Sequence, residues 1–192
     1  MKKKRIIKIV LICLLSIILV ILCGYVILKN VIYPLNHFSI VKEEASKNNI
    51  DPYLVMAIIK TESGFKKDAT SNKDAKGLMQ IIDSTATDIN NKTNIVDEVG
   101  ENIYDENVNI SLGCKYFSDL IKRYNGNYYL AICAYNAGMG NVDKWIEQGI
   151  IDKDISSYNN ISLPYKETEK YLKKVKTKKL LVIATQLVIL IG

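Results

Sequence analysis

The sequence predicts a mainly helical protein, in which one helical domain follows a single transmembrane helix near the N-terminus. Three observations predict this fold class. A run of twenty residues near the start carries no charge. Later apolar residues recur with the 3.6-residue period of a helix, and no segment alternates convincingly with the two-residue period of a half-buried strand. With 192 residues, 48% of them hydrophobic and 24% charged, the chain can form one globular domain and an additional segment.

Residues 9–28 are expected to form a transmembrane anchor. A helix of this length, at about 1.5 Å per residue, spans the roughly 30 Å hydrocarbon layer of a bilayer. Residues 1–8 carry five basic side chains and no acidic one, so they should stay in the cytoplasm and place the domain outside the cytoplasmic membrane. A cleaved signal peptide is the alternative, but its apolar region usually has about 7–15 residues and a small-residue cleavage site. Neither condition is met here.

The predicted domain covers residues 38–179 and follows a short linker, residues 29–37. Its helices are predicted at 39–48, 52–62, 83–90, 105–124, 127–135, 141–147 and 167–178. The second of them has the clearest start, because Asp51 can accept hydrogen bonds from the first turn and Pro52 suits the first helical position. It should end at Ser63-Gly64, since glycine tolerates the turn out of a helix.

The last segment, residues 180–192, is an apolar tail to which the sequence assigns no role. Its apolar stretch is too short to cross a bilayer comfortably. A helix or strand packed on the domain and a tail that contacts the membrane both fit this composition, and the sequence does not decide between them.

The distribution of charge argues against a nucleic-acid-binding protein. Five of the 26 basic side chains lie in residues 1–8 and six in residues 170–192, while all 20 acidic side chains lie between these ends. The body of the chain is therefore acidic, whereas a nucleic-acid binder carries a basic patch on its folded domain.

The chain offers little for a metal or cofactor site, so none is expected. His37 is its one histidine, and it has neither a Cys-x-x-Cys pair nor a glycine-rich phosphate loop. Two of the four cysteines lie in the anchor. The other two, Cys114 and Cys133, could form a disulfide outside the membrane or remain as two buried thiols.

Glu62 occupies an unusual place for a carboxylate. It follows Val55, Ile58 and Ile59 at helical spacing, so it should share their apolar face. Burial penalises the charged form and should raise the pKa of Glu62 from about 4.3, toward about 6. A carboxyl with such a pKa can hold and release a proton as a general acid. Alternatively, Glu62 turns out to solvent or pairs with a lysine.

Three further motifs follow Glu62-Ser63 along the chain: GLMQ at 77–80, AYNAG at 134–138 and ETEKY at 167–171. Each alone reads as a turn, a helix end or an amphipathic helix. In this order they resemble the catalytic domain of the family 1 lytic transglycosylases, over roughly residues 38–178. The resemblance implies a lysozyme-like helical fold and cleavage of the β-1,4 bond between N-acetylmuramic acid and N-acetylglucosamine in peptidoglycan.

The resemblance also implies roles for individual residues. Glu62 is the single catalytic acid and base. The implied substrate-binding residues are Ser63, Met79, Gln80, Tyr135, Asn136 and Tyr171. Among these, Ser63 orients the acid or the substrate, and the Tyr171 hydroxyl lies near the Glu62 carboxylate or the reacting sugar. Glu167 and Thr168 are structural supports.

Residues 79–80 are implied to contact saccharide or stem peptide, and residues 135–136 to shape the groove floor. In the implied reaction one carboxyl protonates the leaving oxygen and then takes a proton from the muramic acid 6-hydroxyl, which closes a 1,6-anhydro ring without water. Asp68 and Asp74 are candidates for a second carboxylate only through proximity in sequence.

The implied partners are the glycan strands of peptidoglycan, the cytoplasmic membrane through the anchor, and cell-envelope machinery of unknown identity. Two other functions fit less well. A muramidase hydrolase would use water instead of the 6-hydroxyl. A wall-binding scaffold without activity would have little reason to bury an acid.

Overall fold

The computed structural model describes residues 2–27, 37–155 and 162–191. Within these ranges the chain is mainly α, as predicted. The helices are α1 Lys2–Ile27, α2 Phe38–Lys47, α3 Pro52–Glu62, α4 Asp83–Thr93, α5 Glu106–Arg123, α6 Tyr128–Ala137, α7 Met139–Glu147 and α8 Lys166–Ile191. A 3₁₀ helix, Gly100–Tyr104, precedes α5, and two short strands, β1 Ala75–Lys76 and β2 Ile81–Ile82, lie between α3 and α4.

The predicted domain helices are confirmed to within a few residues, with one large exception. The last helix continues through the apolar tail to Ile191 instead of ending at 178. Val182 and Thr185 in that tail are buried, so the tail includes a helix that packs on the domain. The antiparallel strands pair Ala75 with Ile82 and Lys76 with Ile81, and the sequence did not predict them.

Helix α1 has the length and composition to cross a membrane, from Lys3 to Val26, and none of it is buried in the protein. It begins at Lys2, so the basic residues of the N-terminal segment belong to the same helix as the apolar ones. Residue 28 of the predicted anchor and residues 29–36 of the predicted linker lie outside the described residues.

Helix α3 lies in the centre of the domain. All six residues from Leu54 to Ile59 are buried, so the helix is enclosed on every side rather than along one stripe. Its start is as predicted, because the Asp51 carboxylate accepts a hydrogen bond from the Tyr53 backbone N–H at 2.8 Å. Gly64 turns the chain out of the helix with φ of +63°. Burial of α3 thus carries its last residue, Glu62, into the domain.

Asn109 of α5 holds the GLMQ segment in place. Its fully buried side chain accepts from the Met79 backbone N–H at 2.7 Å and donates to the carbonyls of Lys76 at 3.0 Å and Ile103 at 2.8 Å. A Cβ atom on Gly77 would lie 2.2 Å from the Asn109 amide nitrogen. Only glycine lets the turn approach the asparagine this closely.

The two cysteines of the domain are free thiols. Cys114 of α5 and Cys133 of α6 are both buried. Of the two alternatives for this pair, the structure therefore shows the buried thiols rather than a disulfide.

Candidate active site

Glu62 meets Tyr171 at the end of α3. The Tyr171 hydroxyl donates a hydrogen bond to Glu62 Oε1 at 2.5 Å, and Tyr171 itself is 6% exposed. At the start of α3, Asp51 Oδ2 lies 2.6 Å from Lys179 Nζ in the middle of α8. These two contacts show that α8 runs antiparallel to α3 and presents a buried hydroxyl to the carboxyl group.

The environment of Glu62 favours its protonated form. Burial raises the pKa of Glu62 to about 7, and the negative charge of Glu167 acts in the same direction. The hydrogen bond from Tyr171 and the positive charge of Lys178 lower the pKa but do not offset burial. The rise predicted from the sequence is therefore present, and near neutral pH the group can both give and accept a proton.

Glu62 lines a groove of about 720 Å³. One wall comes from the loop around β1 and β2 and the start of α4, and the other from the end of α6, the start of α7 and the start of α8. The lining residues are Glu62, Ser71, Asn72, Lys73, Ala75, Gln80, Ile81, Ile82, Thr85, Tyr116, Tyr135, Asn136, Ala137, Gly138, Asn141, Tyr165, Glu167 and Thr168. Hydroxyl, amide and aromatic groups thus surround the acid, as in sites that bind polar ligands through hydrogen bonds and ring faces.

Three of the predicted substrate-binding residues lie in this groove, each held by a hydrogen bond. Gln80 Nε2 donates to the carbonyls of Ala69 and Gly77, both at 3.0 Å. The Tyr135 hydroxyl donates to the Met79 carbonyl at 2.8 Å, which links α6 to the opposite wall. Asn136 Oδ1 accepts a hydrogen bond from the Thr168 hydroxyl at 2.8 Å, which fixes the orientation of the Asn136 amide group.

Two other predicted substrate-binding residues are not among those that line the groove. The Met79 side chain is fully buried and packs against Gly113, where a Cβ atom would lie 2.3 Å from the Met79 sulfur. Ser63 Oγ donates to the Ile59 carbonyl and accepts from the Phe65 backbone N–H. Neither residue lines the groove, because both side chains serve the local fold.

Tyr171 also stands outside the groove lining. Of the two positions considered for its hydroxyl, the structure shows the one against the acid. Thr168 supports Asn136, as expected, but it also lines the groove. Glu167, expected only as a support, is exposed in the groove and influences the pKa of Glu62.

Sequence reasoning missed two residues near the acid. Lys178 donates from Nζ to the Lys60 carbonyl at 2.9 Å, and its positive charge lowers the pKa of Glu62. It follows Tyr171 by seven residues, a spacing that places both on one helix face and could have revealed it. The Tyr116 ring lies 5.4 Å from the Tyr135 ring at a tilt of 45°, and no local motif marks it.

The two acids considered as a second carboxylate do not join the site. Asp68 and Asp74 are absent from the residues that line the groove, and Asp74 instead lies 3.5 Å from Lys76. Among the residues that the structure describes, no group of three or more His, Cys, Asp or Glu side chains could hold a metal ion.

The fold and this groove define a lysozyme-like helical domain with one half-buried, protonatable carboxyl group. The transglycosylase SLT domain family matches residues 39–157. The chain belongs to this family, and the resemblance to lytic transglycosylases is confirmed.

Several relatives share this domain. The chain is 30% identical over 145 residues to the soluble lytic murein transglycosylase of Escherichia coli, covering 74% of this chain and 22% of that protein. It is 31% identical over 160 residues to the membrane-bound lytic murein transglycosylase C of Photorhabdus laumondii, covering 73% of this chain and 45% of that protein. The chain thus spans about a fifth of the soluble relative and under half of the membrane-bound one.

Solved structures agree in fold. An inactive mutant of the lytic transglycosylase Slt from Pseudomonas aeruginosa matches with a TM-score of 0.68 and 31% identity, over 78% of this chain and 24% of that one. A complex of the 70-kDa soluble lytic transglycosylase with bulgecin A matches with a TM-score of 0.70 and 26% identity, over 80% of this chain and 25% of that one.

Proposed function

We propose that this protein is a membrane-anchored lytic transglycosylase of peptidoglycan. It cleaves the β-1,4 bond between N-acetylmuramic acid and N-acetylglucosamine and leaves a 1,6-anhydro end on the muramic acid. The observation that carries this proposal is the Glu62 carboxyl in the groove, with a pKa of about 7 and the Tyr171 hydroxyl 2.5 Å away. Membership of the SLT family supports it, because the relatives are lytic murein transglycosylases.

Glu62 acts first as the acid. Its raised pKa leaves a large share of molecules protonated at neutral pH, and the proton passes to the leaving glycosidic oxygen as the bond to C1 breaks. The acetamido group of the substrate supports the positive charge at C1. The new carboxylate is stabilised by the hydrogen bond from Tyr171 and by the charge of Lys178.

Glu62 then acts as the base. The carboxylate takes the proton of the muramic acid 6-hydroxyl while that oxygen bonds to C1, which closes the anhydro ring. The proton returns to Glu62, so the enzyme is regenerated and no water is consumed. A pKa near the working pH suits one group to both steps.

A muramidase hydrolase is the second candidate, and one observation favours it. Glycosidases that use water generally need two carboxylates, about 5–5.5 Å or 6.5–9.5 Å apart, and Glu167 supplies a second carboxylate among the described groove residues. We favour the single-acid reaction because the relatives of this domain are lytic murein transglycosylases.

The proposed topology follows from α1. Residues 1–8 lie in the cytoplasm, residues 9–28 span the cytoplasmic membrane, and residues 38–179 form the catalytic domain on the cell-wall side. The excess of basic residues before the apolar run supports this orientation. A relative described as membrane-bound supports the anchoring.

Digestion of purified sacculi tests the activity. The wild-type chain should release muropeptides with anhydro ends, which are lighter by one water than the products of a hydrolase, and mass spectrometry separates the two. The variant Glu62→Gln should fold, bind glycan and release none. Glu101→Gln, at an exposed acid outside the groove, should behave as wild type. Undiminished release by Glu62→Gln would overturn the assigned role.

A further inference from the structure

We propose that one face of α8, from Lys173 to Leu187, is a second membrane contact, which rests on an anionic lipid surface beside the anchor. This inference depends on the proposed anchoring through α1. The contacting face, called here the tail face, consists of Lys173, Lys174, Leu180, Leu181 and Leu187.

The apolar part of the tail face is exposed although it belongs to the folded domain. Leu180, Leu181 and Leu187 are 61%, 51% and 54% exposed, whereas Val182 and Thr185 on the other side of the helix are buried. At 100° per residue the three leucines fall within one third of the helix circumference. The four residues that follow Leu187 in the sequence, 188–191, are all apolar. The leucines therefore form one stripe that the domain leaves uncovered.

Basic side chains continue the same stripe toward the start of α8. Lys173 and Lys174 precede Leu180 and Leu181 by seven residues, so they share the helix face about 10 Å away. Residues 170–192 contain six lysines and no acid. Glu169 is the one nearby acid on this face, and it pairs with Lys166 at 3.1 Å and Lys173 at 2.8 Å. Lysines next to an apolar stripe match the anionic headgroups and acyl chains of a bilayer.

A cleft beside the stripe has the same chemistry. It encloses about 540 Å³, and its lining includes Lys176, Leu180 and Tyr128 together with the ion pair of Lys179 and Asp51. Tyr128 is 37% exposed at its edge. Tyrosine and lysine side chains are the residues that settle at the level of lipid headgroups, so the cleft extends the membrane-facing surface.

The position of the tail face suits an anchored enzyme. Because Tyr171 contacts Glu62 and Lys179 contacts Asp51, the helix leads away from the groove. Leu187 lies sixteen residues, or about 24 Å, beyond Tyr171 along the helix axis. Lys173 lies about 200° around the helix from Tyr171. A bilayer along the tail face would therefore leave the groove on the far side of α8, open to glycan strands.

The predicted linker keeps the bilayer within reach of this face. Nine residues, 29–37, span at most about 30 Å, and the radius of gyration of a 140-residue domain is about 14 Å. The tethered domain therefore stays within roughly its own diameter of a lipid surface. The bilayer, rather than a second copy of the chain, therefore covers the tail face.

Fluorescence quenching in vesicles tests this contact with the full-length chain. The variant Leu187→Trp is reconstituted in phosphatidylcholine vesicles with and without phosphatidylglycerol, in which the acyl chains carry bromine. We expect the added tryptophan to be quenched, and more strongly when phosphatidylglycerol is present. In the double variant Lys173→Gln with Lys174→Gln the phosphatidylglycerol effect should shrink, because two charges that attract the anionic surface are gone.

Controls separate the possible failures. The native Trp145 is buried and gives the background fluorescence. The variant Ile150→Trp, at an exposed position after α7, should remain unquenched.

Flotation with the vesicles reports anchoring independently. If the chain floats but Leu187→Trp is quenched no more than Ile150→Trp, the tail contact is wrong and the anchor stands. If Leu187→Trp is shielded only at high protein-to-lipid ratio, a second copy covers the face and the proposal is wrong. Failure to float would overturn the anchor and this inference together.

Discussion

At the scale of single residues, the chemistry depends on how four influences balance at Glu62. Burial and Glu167 favour the protonated form, while Tyr171 and Lys178 favour the carboxylate. Tyr171 is special among them because it is itself buried, so its hydroxyl has no access to bulk water as an alternative partner. The site thus combines a poorly solvated acid with one strong donor that stabilises the charged form.

The charged neighbours of Glu62 should move its pH profile in opposite directions. The first reaction step needs protonated Glu62, so activity falls as the pH rises through its pKa. Glu167→Gln removes a charge that raises this pKa and should shift the alkaline limb of kcat/KM to lower pH. Lys178→Met removes a charge that lowers the pKa and should shift the limb to higher pH. Shifts in the same direction, or complete loss of activity in Glu167→Gln, would contradict the single-acid mechanism.

Tyr171→Phe should slow turnover by roughly 10²-fold or less if its hydroxyl assists proton movement. Loss of the hydrogen bond should also raise the pKa of Glu62, so the alkaline limb should move to higher pH while the overall rate falls. Steady-state rates on soluble glycan strands check both effects. The control is Tyr104→Phe, whose hydroxyl bonds to Thr70 at 2.8 Å outside the groove. An unchanged rate and pH profile would remove Tyr171 from the mechanism.

The sequence motifs identified segments that line the groove, but they did not predict which side chains of those segments face it. Gln80 and Asn136 were found from GLMQ and AYNAG, yet Met79, within the same motif, points into the core. The turn that contains GLMQ is held by Asn109, thirty positions away in the sequence, and Gln80 has φ of +52°. Which side chains of a turn face outward is therefore set by tertiary contacts that a local pattern does not contain.

At the scale of elements, one buried asparagine connects α5 to the groove wall. Asn109 bonds to the backbone of Met79 within the GLMQ segment and of Lys76 just before it. Tyr135 of α6 bonds to the Met79 carbonyl in the same segment. The strand-containing wall of the groove is thus fixed by side chains of two helices, because its two-residue strands are too short to be stable alone.

Asn109→Ala should therefore damage both stability and activity. It leaves two buried backbone groups, Met79 N–H and the Ile103 carbonyl, without their partner, each at a cost of about 1–3 kcal/mol. It also removes the bond to the partly buried Lys76 carbonyl and frees the wall that carries Gln80. The matched control is Asn90→Ala, because the buried Asn90 side chain bonds to both backbone groups of Val96 away from the groove. Chemical denaturation should show a loss of stability in both variants, but kcat/KM should fall only in Asn109→Ala. Equal activity in the two variants would contradict this role.

Elements with local start signals were predicted well, and elements without them were not. The start of α3 was found because Asp51 and Pro52 act within one turn of it. The strands β1 and β2 have two residues each, too few for any periodicity. The continuation of α8 depends on burial of Val182 and Thr185 against the domain, and the apolar sequence there fits a helix, a strand or a membrane contact equally well.

At the scale of the whole molecule, the partial burial of Glu62 lowers the stability of the folded domain when this residue is ionised. Helix α3 is enclosed on all sides, and its apolar residues account for most of that burial. Glu62 is the exception at its end. Above neutral pH the folded protein must carry a poorly solvated negative charge that the unfolded chain exposes to water.

The stability difference between Glu62→Gln and wild type should therefore depend on pH. The pKa of Glu62 is about 7 in the folded protein against an ordinary value of 4.5, so the wild type loses stability as the pH rises from about 4.5 to about 7. The glutamine variant does not ionise and should be the more stable above pH 7, by at most about 3 kcal/mol. Below pH 4.5 this advantage disappears. Thermal unfolding of both chains across this range measures it, with Glu101→Gln as a control that should show no such trend.

The two buried thiols have a practical consequence for anyone who handles this protein. Cys114 and Cys133 are 0% and 2% exposed, and burial raises the pKa of each to about 12. Since only the thiolate reacts quickly, alkylating reagents reach these atoms when α5 or α6 transiently opens. Mass spectrometry of peptides can follow the rate at which each cysteine gains an adduct. This rate reports how often α5 and α6, the two helices that contribute Tyr116, Tyr135 and Asn136 to the groove, open locally, and it needs no engineered label.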